Sequence, residues 1–134
     1  MRKSVANNLN DVSKDCPKLA LKLAQEWIGH NAETNWVVKH GMITLLKAGH
    51  PIVMALFGYA TIDVLHTEAI KVNTLAVSLG HHLEFQFHLA NKTPIEQIIR
   101  LEYAVHFMKN NGVQKKKVFK ISERKLKSRE TITI

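Results

Sequence analysis

The sequence predicts an α+β chain in two successive parts: stacked helical hairpins over residues 1–59, then an antiparallel β-sandwich short of strands over 70–134, joined by a linker at 60–69. Two observations predict it. Apolar residues recur at helical spacing as far as Gly58, and from about Ile70 they recur at every second position. Charge divides the chain as well. Residues 1 to 60 carry seven Lys/Arg against four Asp/Glu, whereas residues 61 to 134 carry twelve against seven, and Lys109 to Arg129 holds nine basic residues with Glu123 as the sole acid.

The first helix runs from Arg2 to Asp15. At 100° per residue Val5, Leu9, Val12 and Cys16 fall in one sector, and Lys3, Asn7, Asn10, Asp11 and Lys14 in another. Asp15 is a candidate N-cap and Pro17 a first-turn proline for a second helix, whose Leu19, Leu23 and Trp27 repeat at i, i+4, i+8. Gly29-His30-Asn31 breaks that helix, and Thr34 or Asn35 can cap a third. Val37, Val38, Gly41, Met42, Leu45 and Leu46 give the third a broad apolar face ending at Gly49, opposite Trp36, Lys39, His40, Ile43 and Lys47. A short helix from Pro51 to about Gly58 closes the helical part.

Ile70 and Val72 begin the alternation weakly. Leu83, Phe85, Phe87 and Leu89 against Glu84, Gln86 and His88 read as a half-buried strand, and Ile99, Leu101, Tyr103, Val105 and Phe107 as a longer one. Asn111-Gly112 is a tight hairpin turn returning through Val118, Phe119 and Ile121. Ile132 and Ile134 alternate with Thr. That count, four or five strands where a sandwich usually has about seven, leaves an edge unpaired and open to self-association.

Lone Cys16 excludes an internal disulfide and, on the apolar stripe, reads as a small buried hydrophobe rather than a nucleophile. The basic start is followed by polar Asn-rich sequence, not an apolar signal core, and no run reaches membrane-span length, so the expectation is a cytoplasmic chain with no membrane partner. His81, His82 and His88 lack a completing Cys or carboxylate at ligand spacing, and the Gly residues are scattered among turns, so neither a metal nor a phosphate-cradling loop is expected. No cofactor is called for.

The formal charge of +8 favours a polyanionic partner. On the first helix, Asn7 and Asn10 are poor helix formers, and the polar stripe is either a solvated face or a surface facing phosphates. Asp11 is the odd member, since a carboxylate beside phosphates is costly unless it faces a cation or positive charge developing in a reaction. Lys115, Lys116 and Lys117 fit a solvated hairpin as well as a phosphate contact. Lys125, Lys127 and Arg129 can equally keep a strand edge soluble.

The run Arg2 to Asp15, with Asn35-Trp36-Val37-Val38-Lys39-His40-Gly41, resembles the HEAT-like-repeat DNA alkylation-repair glycosylases in their AlkC branch. Leu83 to Phe87, Leu101 to Phe107 and Lys117 to Ile121 are similar to the immunoglobulin-like domain that follows the repeats there. The resemblance implies removal of cationic N-methylated bases from duplex DNA by glycosidic bond hydrolysis. It implies Asp11 as the catalytic carboxylate and Arg2, Lys3, Asn7, Asn10, Trp36, Lys39 and His40 as DNA-facing groups; Lys115, Lys116 and Lys117 join the DNA-binding candidates on their charge alone. Trp36 reads equally as an aromatic capping the helical core. The family pattern has Arg where this chain has Ile43, and it has helical repeats ahead of the Arg2 segment. The expectation is therefore a middle to C-terminal piece with weak or absent catalysis alone. The competing functions are a non-enzymatic DNA-binding module and a protein-interaction scaffold.

Overall fold

A computed structural model describes all residues, Met1–Ile134. Five helices come first: α1 (Arg2–Asp15), α2 (Pro17–Trp27), α3 (Ala32–Gly41), α4 (Ile43–Lys47) and α5 (Pro51–Leu56). A 3-10 turn (Ile62–Val64) leads into β1 (Leu65–Thr67), β2 (Lys71–Val72), β3 (Phe85–Gln86), β4 (His88–Asn91), β5 (Gln97–Met108), β6 (Gln114–Leu126) and β7 (Thr131–Thr133). The chain is thus mixed, helical first and antiparallel afterwards. It divides into two compact units, Met1–Tyr59 with Glu102–Ile121, and Ala60–Leu101 with Ser122–Ile134.

The helical core is built on Leu9, Leu21, Val38, Met42, Leu46 and Val53, with Ala20 and Ala24 filling narrow gaps. The seam of α1 differs from the one its hydrophobicity suggests. Ala6, Leu9 and Ser13, at i, i+3, i+7, are its buried residues, while Val5 is 40% exposed. Small side chains win because α3 comes close at Gly41, where a Cβ would lie 2.6 Å from Leu9 Cδ2. Buried Ser13 is satisfied by donating to the Asn10 carbonyl at 2.7 Å. Cys16 is exposed, not buried, because it sits in the non-helical step between α1 and α2.

The same preference for small residues shifts the α2 seam to Ala20, Leu21 and Ala24, leaving Leu19 exposed and Leu23 and Trp27 half-buried. Asp15 ends α1 and caps nothing; Pro17 opens α2 as expected. The cap of α3 is Asn31, whose Oδ1 accepts from Thr34 N–H at 2.8 Å, so Thr34 is the donor and Asn35 instead accepts from Gly29 N–H at 2.6 Å. The apolar face read over Val37 to Leu46 is one face on two helices, α3 and α4, broken at Met42.

Seven strands form, more than the four or five expected. The order β1-β4-β7 makes a three-stranded antiparallel sheet, with β2-β3 and β5-β6 as two-stranded ladders. The extra strands come from short segments: Leu65–Thr67 pairs with β4 in the register Leu65↔Asn91, so strand structure begins ahead of Ile70. The single run 83–89 becomes two strands serving different sheets. Phe85 pairs with Val72, whereas His88 pairs with Thr133, and Phe87 between them exchanges both backbone hydrogen bonds with Ile134. Asn111-Gly112 turns the β5-β6 hairpin as expected, with Gly112 at φ 77°.

Leu89, Ile99 and Leu126 are the buried apolar centre of the second unit. Beside them lies Asn91, 2% exposed. Its Nδ2 donates to the carbonyls of Ile95 (2.7 Å), Lys127 (2.9 Å) and Leu126 (3.3 Å), and its Oδ1 accepts from Thr93 N–H and Oγ1. The guanidinium of Arg100, with its side chain 3% exposed, pairs with Glu123 across β5 and β6.

Candidate nucleic-acid interface

Glu33, Trp36 and His40 are spaced i, i+3, i+7 on α3 and so share a face. The His40 ring stacks on Trp36 with centroids 4.8 Å apart and planes within 11°. From the first residue of α1, Arg2 places its guanidinium carbon 4.9 Å from the Trp36 ring centroid and pairs through Nη1 with the Glu33 carboxylate. The outcome is a cross-helix ladder of carboxylate, guanidinium, indole and imidazole. Cation–π attraction and offset stacking hold it together. Trp36 is 38% exposed, so it is a surface aromatic and not a cap on the helical core. Beside the Arg2–Glu33 end lies a cavity of about 450 Å³, lined by Val5, Trp27 and Val37 among others.

Lys3, Asn7, Asp11 and Lys14 are exposed along α1. Asp11 Oδ1 accepts from Lys14 Nζ at 2.8 Å, a solvent-facing i, i+3 pair. Asn10 is different: it is half-buried, and its Oδ1 accepts from Thr44 Oγ1 at 2.8 Å and Thr44 N–H at 3.3 Å. Since α4 has no side-chain cap of its own, Asn10 supplies one from α1. Lys39 is half-buried and places its ammonium 5.6 Å from the Tyr59 ring centroid. Ile43 packs against the helical core, so the position that carries Arg in the family pattern is apolar packing in this chain.

Lys115, Lys116 and Lys117 are exposed at the start of β6, with Lys117 Nζ 5.8 Å from the Phe119 ring, which in turn stacks on Tyr103 at 5.2 Å. No ion pair or ring contact joins these lysines to the Arg2 ladder. Sequence reading missed Glu33. Its spacing three residues before Trp36 was the available signal, but the partner that gives it meaning, Arg2, is 31 positions away. No group of three or more His, Cys, Asp or Glu is placed to hold a metal ion. No helix is long and apolar enough to cross a membrane.

Chemically, the helical face offers a cation on an aromatic plate, a row of amide and ammonium donors, and two carboxylates, Glu33 and Asp11, each paired with a cation. Residues 66–134 match the family described as "Uncharacterised protein YhaZ, C-terminal Ig-like domain". The YhaZ protein of Bacillus subtilis (strain 168) is 41% identical over 131 residues, which are 98% of this chain and 36% of that protein. Among solved structures, Pseudomonas fluorescens alkylpurine DNA glycosylase AlkC bound to DNA containing an abasic site analog is similar with a TM-score of 0.90 at 31% identity, over 99% of this chain and 37% of that one. The chain spans just over a third of the length of each. With its C-terminal half matching that model and its whole length following both relatives, the chain belongs to the YhaZ family and is Ig-like in its C-terminal part, as the AlkC-branch resemblance implied.

Proposed function

We propose that this chain takes part in DNA alkylation repair, as a portion of a glycosylase that removes cationic N-methylated bases from duplex DNA. In this reading the five helices are HEAT-like hairpins and the strands an immunoglobulin-like sandwich. The observation that carries it is the surface ladder of Arg2, Trp36 and His40, set beside the exposed row Lys3, Asn7, Asp11 and Lys14, in a chain similar over 99% of its length to a DNA-bound alkylpurine glycosylase. Arg2 and Lys3 hold phosphates, Asn7 donates to phosphate or base edges, and Trp36 lies against the sugar-phosphate backbone with His40 behind it. Asn10 serves the same face through its packing, by fixing α4 against α1. Lys39 and the Lys115 to Lys117 run add cationic charge.

A cationic base is a good leaving group, because it departs with the glycosidic electron pair as a neutral molecule. What the protein must supply is a carboxylate facing the sugar as oxocarbenium charge develops, and a place for the water that adds to the anomeric carbon. Asp11 is that carboxylate, released from Lys14 when a phosphate takes the ammonium. Without the rest of the longer architecture, turnover by this chain is weak or absent.

The test is fluorescence anisotropy of the purified chain with a short duplex, with and without one methylated base, across a salt series. Log affinity should fall with log salt by about 0.9 per phosphate contact. Base release that is lost in Asp11→Asn while binding persists supports the catalytic role. Binding without release reduces the chain to a DNA-binding module, and a folded chain that binds no duplex at low salt leaves only a scaffold.

A further inference from the structure

We propose that Glu33 is an internal stand-in for a DNA phosphate at Arg2, so that the helical face is held partly neutralised until a phosphate displaces it. This rests on the DNA-facing reading above and adds a residue which that reading does not use. The pair is solvent-facing, with the Arg2 side chain 55% and the Glu33 side chain 69% exposed, which makes it weak and exchangeable. A carboxylate and a phosphate present similar oxygen pairs to the guanidinium fork. Trp36 holds the guanidinium from its face whichever anion occupies the edge, so the exchange needs no new position for Arg2.

Glu33 also has somewhere to go. It lies in the first turn of α3, whose cap is already supplied by Asn31, and a carboxylate released there still faces the positive end of the helix. Lys3, one residue after Arg2, has no such counter-ion and stays available for the first encounter. Glu33 therefore damps binding to any polyanion that does not place a phosphate at Arg2.

The experiment measures duplex affinity at low salt for the wild-type chain, Glu33→Gln, Arg2→Gln and the double variant. Far-UV circular dichroism confirms the fold of each, which exposed substitutions preserve. Glu33→Gln should tighten binding about two- to fivefold, the range that an exposed ion pair spans, and the gain should vanish in the Arg2→Gln background. Weaker or unchanged binding in Glu33→Gln overturns the proposal, because Glu33 then positions Arg2 or does nothing. A gain that persists without Arg2 overturns it too, since that is plain repulsion of the duplex. If no variant binds duplex at all, the DNA-facing reading itself fails and takes this inference with it, a result distinct from binding that is indifferent to Glu33.

Discussion

Gly41→Ala tests whether the approach of α1 to α3 is as close as the ladder on their surface requires. A methyl at Gly41 would lie 2.6 Å from Leu9 Cδ2, 2.8 Å from Cγ and 2.9 Å from Cβ. Carbon atoms pack at about 3.5–4.0 Å, so each of the three contacts is short by at least half an ångström, roughly. Rotation can withdraw Cδ2, but Cβ is fixed to the α1 backbone, and Leu9 is only 3% exposed with little room to turn. The helices must separate. Overpacking of this kind costs about 1–3 kcal/mol, against a gain of about 1 kcal/mol for Ala over Gly in a helix. A net loss of up to about 2 kcal/mol is expected, read as a lower urea midpoint with an unchanged slope.

The compensating variant sharpens the test. Leu9→Ala alone should cost about 2–5 kcal/mol as a cavity, and in the Gly41→Ala background the added methyl occupies part of that space. The two changes should therefore be non-additive by about 1 kcal/mol or more, with the double variant more stable than the sum predicts. Separation of α1 from α3 also carries Arg2 away from Trp36, so Trp36 emission in a Trp27→Phe background should change with Gly41→Ala. A Gly41→Ala chain as stable as wild type, with unaltered emission, would refute the close approach.

The remaining expectations concern the elements that hold each unit together. Asn91→Ala should cost about 3 kcal/mol in chemical unfolding, because three carbonyls and the Thr93 N–H lose their partner in a buried site; a loss under about 1 kcal/mol would mean that water replaces them. Glu123→Ala should cost about 3–5 kcal/mol by removing a partner of the buried Arg100 guanidinium, and Arg100→Met in the same chain should recover much of it. Asn10→Ala should cost about 1 kcal/mol through the α4 cap, with hydrogen exchange accelerating at Thr44. The Asp63 carboxyl is held below its usual value of 3.8 by the Thr61 side chain and a backbone hydrogen bond. Its contribution to stability is therefore complete above the unfolded value and fades as pH falls through the lower folded one. An NMR titration midpoint for Asp63 at or above 3.8 would contradict this.

The helical half and the long hairpin were legible in the sequence because their signals are local. Pro17, Gly49 and Asn111-Gly112 mark ends and turns through their own backbone preferences, and Gln97–Met108 is long enough for alternation to show. What was not legible depends on partners distant in sequence. Leu65–Thr67 and Lys71–Val72 are too short to display a period, and the run 83–89 alternates evenly although β3 and β4 join different sheets. On α1 and α2 hydrophobicity pointed to Val5, Val12 and Leu19, yet Ala6, Ser13, Ala20 and Ala24 are buried, because close helix approach rewards small side chains over large ones.

The same distinction governs the candidate site. Asn7 and Asn10 occupy one sector of α1, and nothing local separates them. The unsatisfied N–H groups at the start of α4 do: they recruit Asn10 and leave Asn7 exposed. The row that remains, Lys3, Asn7, Asp11 and Lys14, follows i, i+4, i+8, i+11 and is narrower than the polar stripe by one residue, which aligns its cations and its carboxylate along a single ridge. At one end the ridge meets Arg2 held by Glu33, and at the other Asp11 held by Lys14. In the free chain Arg2, the proposed phosphate contact, and Asp11, the proposed carboxylate, are thus each paired with an opposite charge on the surface, and such exposed pairs separate at a cost of about 1 kcal/mol or less. A duplex that supplies phosphates at Arg2 and Lys14 together would release Glu33 and Asp11 in the same event. On that account the carboxylate becomes available when the duplex lies along the ridge, and Lys14→Gln, which leaves Asp11 unpaired without any duplex, should weaken binding more than it slows base release from the bound duplex.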